Sequence, residues 1–511
     1  MMDKFFRTNS SILVERLDPN FYQPSLVEND KLIKSKGWVE LQSLYNASGI
    51  GNTSAVERYY SDAADSIPYI SGKVIKSFNI DLDGCQRISL DSHKNELTKS
   101  TIRPTDVLVI RKGDMGNACV VPSEVHEANC SSEVIYLKMK ASSDPYYLVS
   151  YLNCKQGQKA FKRLGRGTII PGVSLLDVPR LPIPKVSEFV QKHIGDKVRQ
   201  AEQLRAWAKR LALSIEDLLT SSDDYLSACR TPEKKTTRPQ LIDLSNRLDP
   251  KYYGNKAIAV HRFTRKTGTP LAALIKSVAN GFEERSFIEN GLAYITVSEV
   301  SSGRLDAQSA PKISKSIDVP QKAVIHETCV LVVRTGSIGT AVKVHALDKG
   351  CAISSHLIRL EFEDEETAAA VAVFLNSSAG KVLLHKISYG AVQPQIGQEE
   401  LLALNIPEYV LNEKTQCLAL LNSYELAIRA SKSLTVSAKN LVEALIEGQL
   451  TERQLIEAQQ ALEDGDNSLD QAILSKLSAE GYAIEGATPL FSDVDELYRL
   501  LEDAAQAEAE E

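Results

Sequence analysis

The chain has 511 residues, 43% of them hydrophobic and 24% charged, which is enough for two or three soluble-type domains, each with its own core. No run approaches 18 consecutive apolar residues, and the start, Met1-Met2-Asp3-Lys4-Phe5-Phe6-Arg7-Thr8, lacks the apolar stretch of a secretion signal, so the expectation is a cytoplasmic protein without a membrane span. The net charge of −7 is unevenly placed: residues 451–511 hold 16 Asp/Glu against 3 Lys/Arg, a net −13, which leaves +6 on residues 1–450 and keeps nucleic acid open as a partner.

In chain order, the sequence repeats itself. Arg16-Leu17-Asp18-Pro19-Asn20-Phe21-Tyr22 returns as Arg247-Leu248-Asp249-Pro250-Lys251-Tyr252-Tyr253. Short strands are expected at Ile67-Pro68-Tyr69-Ile70 and at Leu292-Ala293-Tyr294-Ile295. The apolar runs Val107–Ile110 and Val330–Val333, ended by Gly113 and Gly336, read as buried strands and turns. Further strands are expected at 133–139 and 356–362, each after a matched pair, Ser131-Ser132 and Ser354-Ser355. Helical segments should reach Asn153 and Asn376, followed by polar, glycine-containing loops at Arg163–Thr168 and Lys386–Ala391. The closing segments are Leu181-Pro182-Ile183-Pro184 and Leu404-Asn405-Ile406-Pro407. From Val107–Pro184 against Val330–Pro407 the copy is gapless, with 20 identities in 78 pairs. One fold is therefore present twice.

After each closing proline the apolar spacing changes to three and four. Ile194, Val198, Ala201, Leu204, Ala208, Leu211, Ile215 and Leu218 form one stripe. Cys417, Leu421, Tyr424, Ile428, Ser431, Leu434, Ala438, Leu441 and Leu445 form the other. Each predicts a helix of roughly 30–35 residues, about 45–50 Å long, able to bury its stripe on the other. Residues 230–240, polar with two prolines, read as a linker. The expected plan is α+β. A mixed α/β module at 1–184 is followed by a long helix at 185–229. After the linker come a second domain at 241–407, a second long helix at 408–450 pairing antiparallel with the first as a coiled coil, and an acidic extension at 451–511. In that extension 455–462, 469–477 and 494–501 look helical and 504–511 frayed. Its expected roles are a solubilising appendix, a partner contact, or an occupant of a basic DNA channel.

Tandem modules with a long helix after each, the repeated Arg-Leu-Asp-Pro-x-aromatic-Tyr start and the strand-Arg-x-Gly-x-x-Gly turn make the chain resemble the specificity subunit of type I restriction-modification systems. So does Gly390-Ala391-Val392-Gln393-Pro394-Gln395-Ile396 running into Asn405-Ile406-Pro407. The likeness covers about residues 10–450. The first module has Thr168-Ile169-Ile170-Pro171-Gly172 where the second has a glutamine on each side of Pro394, which sets Gln393 and Gln395 apart from any role common to both modules. The resemblance implies that the modules at 1–184 and 241–407 are target-recognition domains of a non-catalytic DNA reader of a split site. It also implies two adenine-N6 methyltransferase subunits as partners, which would bind S-adenosylmethionine, with a restriction/translocase subunit as an optional further partner. No cofactor is implied in this chain. Half-sites on one face of B-DNA repeat every ~34–36 Å, a spacing that rigid helices of the expected length can set.

Candidate DNA contacts are Arg87, Arg103, Arg111, Lys112, Arg163 and Arg166 in the first module, and Arg285, Arg304, Arg334, Tyr389, Gln393 and Gln395 in the second. For most of the arginines a solvated charge or an internal salt bridge is the expected state. Arg111 and Arg334 match, so they are expected to serve the fold or phosphates, whereas the diverged pair Arg166 and Tyr389 suits discrimination. Asp18 and Asp249, each before proline, are expected to start a turn or cap a helix. The alternative reading is a protein-binding scaffold that does not touch DNA. Motifs of chemistry are missing. Asn405-Ile406-Pro407-Glu408-Tyr409 has Ile where an adenine methyltransferase motif needs proline, Gly380-Lys381 lacks the rest of a phosphate loop, and Asp464–Leu469 lacks the glycine of a calcium loop. The eight cysteines form no C-x-x-C pair and the histidines no H-E-x-x-H, so buried thiols and no metal are expected.

Overall fold

The computed structural model of the chain describes residues 16–510 apart from 17, 53–54, 168–170, 246 and 391. The N-terminal residues read as free of a secretion signal lie outside the described residues, as do 168–170 of the divergent loop and Ala391.

Each module is built on a four-stranded antiparallel sheet. Val107–Ile110 has four consecutive apolar residues, which suits a strand covered on both faces, and all four are buried. It lies inside the order Tyr45–Ile50, Val134–Met139, Val107–Ile110, Ala118–Val120. The second module repeats this as Ile275–Asn280, Leu357–Phe362, Cys329–Val333, Ala341–Lys343. The register is the same: Val107 faces Leu137 and Val120, and Val330 faces Leu360 and Lys343. The expected strands Ile67–Ile70 and Leu292–Ile295 enter a second sheet in each module, of four and three strands. The proline-rich closing segments form strands Pro182–Pro184 and Asn405–Pro407, which pair with Trp38–Glu40 and Gly268–Pro270.

On the main sheet lie two helices. Asp144 caps Pro145–Asn153 by accepting from the amides of Tyr146 and Tyr147, and Asp364 caps Glu365–Asn376 through the Thr367 amide. Their last residues clamp the edge strand: Asn153 bonds both the N–H (3.1 Å) and the carbonyl (2.8 Å) of Ala118, and Asn376 does the same to Ala341. A second helix follows at once, Lys155–Arg163 or Ser378–Ile387, which the polar sequence there did not announce. It depends on a matched glycine, because a Cβ on Gly157 would lie 1.9 Å from the Tyr151 carbonyl, and one on Gly380 2.1 Å from that of Phe374.

The two long helices run Glu188–Thr220 and Lys414–Glu447, 33 and 34 residues. The first stops before Ser222, which caps a separate short helix, Asp223–Arg230. The chain divides into two compact units, Met1–Arg205 with Arg429–Glu511, and Ala206–Ile428. In the first unit the helix segments are antiparallel: Arg205 donates to Ser431 Oγ (3.0 Å), and the Ser187 amide reaches Glu452 just after the other helix (3.3 Å). The first module is fixed to them by Tyr146–Glu202 (2.9 Å), Arg199–Asp144 (2.8 Å) and Gln156–Glu447 (2.8 Å). In the second unit Tyr409 donates to the Leu219 carbonyl (2.8 Å), and Leu219 and Cys417 share one core with the second module. The chain is thus an α+β protein of two similar mixed modules, each followed by a long helix that runs antiparallel to the other within each unit, with a helical acidic extension.

That extension is part of the first unit's core, which corrects the reading of a solubilising appendix. Its helices Glu452–Glu463, Ser468–Leu474 and Val494–Ala509 bury Leu455, Ala458, Leu474, Leu497 and Leu500, and the end expected to fray is helical with Ala504 buried. Asn440 and Ser433 of the long helix donate to the carbonyls of Ser478 and Leu490. At its centre Asp470, 0% exposed, pairs with Lys197, 1% exposed, at 2.5 Å, with His193 at 3.1 Å and the Tyr498 hydroxyl donating to the same carboxylate. Burial alone would raise the Asp470 carboxyl; Lys197 and His193 outweigh it and hold the group below the ordinary carboxylate range.

Asp470→Ala leaves a buried ammonium unpaired and should cost about 3–5 kcal/mol in denaturant unfolding of the first unit, with part recovered by the Lys197→Met/Asp470→Leu pair. The carboxyl is depressed in the folded state, so its stabilisation is present above the unfolded value of ~3.9 and fades as pH falls further. Unfolding free energies of the native chain and of Asp470→Asn should therefore converge below about pH 4.

Candidate nucleic-acid interface

The repeated Arg-Leu-Asp-Pro segment is a clamp. Arg16 grips Asp18 at 2.9 and 2.8 Å and donates to the carbonyls of Leu164 (3.2 Å) and Gly165 (3.3 Å). Arg247 grips Asp249 and donates to the carbonyls of Ile387 and Ser388, both at 2.6 Å. Tyr22 and Tyr253 lock the turn by donating to the carbonyls of Arg16 (2.6 Å) and Arg247 (2.7 Å). The carbonyls so held end the second helix of each module, where backbone acceptors lack helical partners. Asp18 and Asp249 stand at the caps of short 3-10 helices but their side chains do not cap; the guanidinium bonds hold both carboxyls below the usual range. Both are structural anions.

Beyond the clamped carbonyls the chain makes the glycine loop. Its ends pair reciprocally, Arg166 with Gly172 (2.8 and 2.9 Å) and Tyr389 with Gln395 (2.8 Å both ways), and Gly167 and Gly390 take φ of +96° and +93° to turn it. Beside it lies the strand-end turn Arg111–Gly116, or Arg334–Gly339. The two are stitched by Val173 N–H to the Arg111 carbonyl (3.0 Å) and by Ile396 N–H to that of Arg334 (2.9 Å). The matched arginines point inward: Arg111 donates to the carbonyls of Val173 (3.0 Å) and Ser132 (3.2 Å), and Arg334 to that of Ser355 (3.4 Å). They serve the fold, and the matched serine pairs are their acceptors.

Each module therefore presents a two-loop platform with a common frame and different tips: Lys112 against Thr335, Asp114 against Ser337, Arg166 against Tyr389 and Gly172 against Gln395. Arg111, Lys112 and Arg166 come together on the first platform, and Arg334, Tyr389, Gln393 and Gln395 on the second. Arg166 is bidentate to Asp177 at 2.8 Å.

The remaining candidates lie elsewhere. Arg163 is held by Asp30 (3.0 Å) and the Phe21 carbonyl (2.9 Å), with its guanidinium 4.0 Å above the Phe21 ring. Its counterpart Lys386 sits over Tyr252 in the same way, donating to that residue's carbonyl (2.8 Å). Arg304 is bidentate to Glu425 of the second long helix at 2.8 Å, so it ties module to helix. Arg163 and Arg304 thus sit in the internal ion pairs expected for most of these arginines. Arg87 bonds Ser66, while Arg103 and Arg285 stay exposed with Glu127 and Glu283 beside them. The sequence reading missed the clamp arginines, the Asn153 and Asn376 braces and Val392; for the first two, the signal was an identical polar residue at matched positions. Among the described residues no group of three or more His, Cys, Asp or Glu is placed to hold a metal, and no single helix is long and apolar enough to cross a membrane.

No family model matches the chain, and no curated protein does. Solved structures resemble it. The S subunit of a type I restriction-modification system from M. genitalium is 14% identical, with a TM-score of 0.46, covering 80% of this chain and 96% of that one. The HsdS subunit from Thermoanaerobacter tengcongensis is 15% identical, with a TM-score of 0.27, covering 81% and 97%. A chain from a structure of type I restriction-modification complex assembly is also 15% identical, with a TM-score of 0.28, covering 83% and 96%.

Arg247→Ala removes four bonds at the root of the second platform. It should cost about 2–3 kcal/mol and raise hydrogen exchange at the Tyr389 and Gln395 amides, while the Arg166 and Gly172 amides keep their protection.

Proposed function

We propose that this chain is the DNA-specificity subunit of a type I restriction-modification or related methylation system, reading a bipartite duplex site without catalysing a reaction itself. The observation that carries this reading is the paired platform. Two modules close their glycine loops with the same reciprocal backbone pair and the same positive-φ glycine, beside a matched half-buried arginine and a matched clamp, and carry different side chains at the equivalent outer positions. A frame kept constant beneath varied tips suits two readers of unlike half-sites, because backbone placement fixes docking and base-edge contacts supply sequence. The residues in the role of readers are Lys112 and Arg166 on the first platform and Tyr389, Gln393 and Gln395 on the second, with Arg111 and Arg334 as their supports. Adenine-N6 methylation requires a flipped base and a pocket for S-adenosylmethionine. Both belong to the partner methyltransferase, of which two copies are proposed, with a restriction/translocase subunit as a further partner.

Co-expression with the cognate methyltransferase, followed by mapping of N6-methyladenine across a genome, tests the reading. The expected result is a split motif, of which a graft of 111–116 and 165–172 from a different specificity subunit changes one half only. Failure to capture a methyltransferase, together with methylation independent of this chain, would overturn it. Lys112→Ala should also cost about 1–3 kcal/mol of affinity for the native site and relax the motif at one position of the first half, leaving the second half unchanged.

A further inference from the structure

The two platforms differ in chemistry as well as in identity. In the first, the stretches 111–116 and 165–172 contain Arg111, Lys112, Asp114 and Arg166; in the second, the matching stretches 334–339 and 388–395 contain one charged residue, Arg334, whose guanidinium is turned in toward the Ser355 carbonyl. What the second platform offers to solvent is a hydroxyl-bearing ring, an aliphatic group and carboxamides. Tyr389 is 44% exposed, Val392 is 99% exposed, and Gln393 is exposed beside it.

The loop that carries them is pinned on three sides. Tyr389 and Gln395 exchange backbone bonds, the Gly336 amide donates to the Pro394 carbonyl at 3.3 Å, and Arg247 holds the carbonyls just before it. A Cβ on Gly390 would come 2.8 Å from the Gln393 carbonyl, so the turn is closed tightly on itself. Val392 contributes nothing to the core from this position, yet the frame holds it outward with Gln393 adjacent.

Building on the specificity-subunit reading, we propose that the second module reads an A·T pair in the major groove, Gln393 bonding adenine and Val392 packing on a thymine methyl. Adenine shows an acceptor at N7 and a donor at N6, which one carboxamide satisfies together; thymine adds the only methyl in the groove, which an aliphatic group recognises. Guanine, with two acceptors, calls for a cationic donor, and this platform holds none facing outward. The first platform carries Lys112 and Arg166 instead, so the two halves of the site differ in base composition.

The test uses the full chain with its methyltransferase and a duplex carrying the mapped site. Each thymine in the half assigned to the second module is replaced in turn by deoxyuridine, which lacks only the methyl. At one position the native complex should bind about three- to fivefold more weakly, the worth of one buried methyl, and Val392→Ala should bind thymine and deoxyuridine duplexes alike. Gln393→Ala should weaken binding about tenfold or more and broaden the motif at one A·T pair, leaving the other half sharp. Because both side chains are exposed, an intact first half-site in each variant reports correct folding. Variants of Val392 and Gln393 whose motif and methyl sensitivity equal those of the native complex overturn this proposal while leaving the specificity-subunit reading in place. Absence of any split motif strikes at that reading instead.

Discussion

A guanidinium that bonds one carboxylate and two helix-end carbonyls at once governs the rest of each module. Arg16 and Arg247 join the start of a module to the end of the helix that follows its sheet-packed helix, segments more than a hundred residues apart in sequence. The planar fork suits this, since each nitrogen has a fixed direction and the paired aspartate neutralises the charge as it is buried. The carbonyls it satisfies are those that a helix C-terminus leaves open. A helix end that would otherwise fray becomes a fixed root, and the glycine loop springs from that root.

The consequence is a division between frame and tip. Bonds made by backbone groups and by the matched Arg111 and Arg334 set where the loop lies, and none depends on the residues at its crown. The exposed side chains at 112, 389 and 393 can change without disturbing the strand, the turn or the clamp. A duplicated fold with that property can diverge in what it contacts while remaining the same object in how it is built, and the two modules here have done so from a charged platform to a nearly uncharged one.

The acidic extension shows the opposite use of charge. Thirteen net negative charges on residues 451–511 suggest a solvated tail, but one of its carboxylates is the anion that lets Lys197 lie in the core. A buried pair of this kind adds little net stability, because both desolvation costs must be offset, while removal of one partner leaves the other charge buried and unpaired. It fixes which face of the first long helix the extension covers, and apolar residues from three short helices complete the seal.

The sequence by itself determined the duplication, the positions of the matched apolar strands and the two long helices, because apolar period and repeated residues are local properties of the chain. It also separated Arg111 and Arg334 from the discriminating positions, since identity in both copies argues for a shared structural duty. Only the tertiary structure decided that Arg163 and Arg304 are packing residues, that the extension is core, and that Val392 stands in solvent. Each of those depends on a partner distant in sequence: Asp30 for Arg163, Glu425 for Arg304, Lys197 for Asp470, and for Val392 the loop closure imposed by Arg247. A side chain's sequence neighbours carry its propensity, but its burial and charge state are settled by whichever distant segment the fold brings against it.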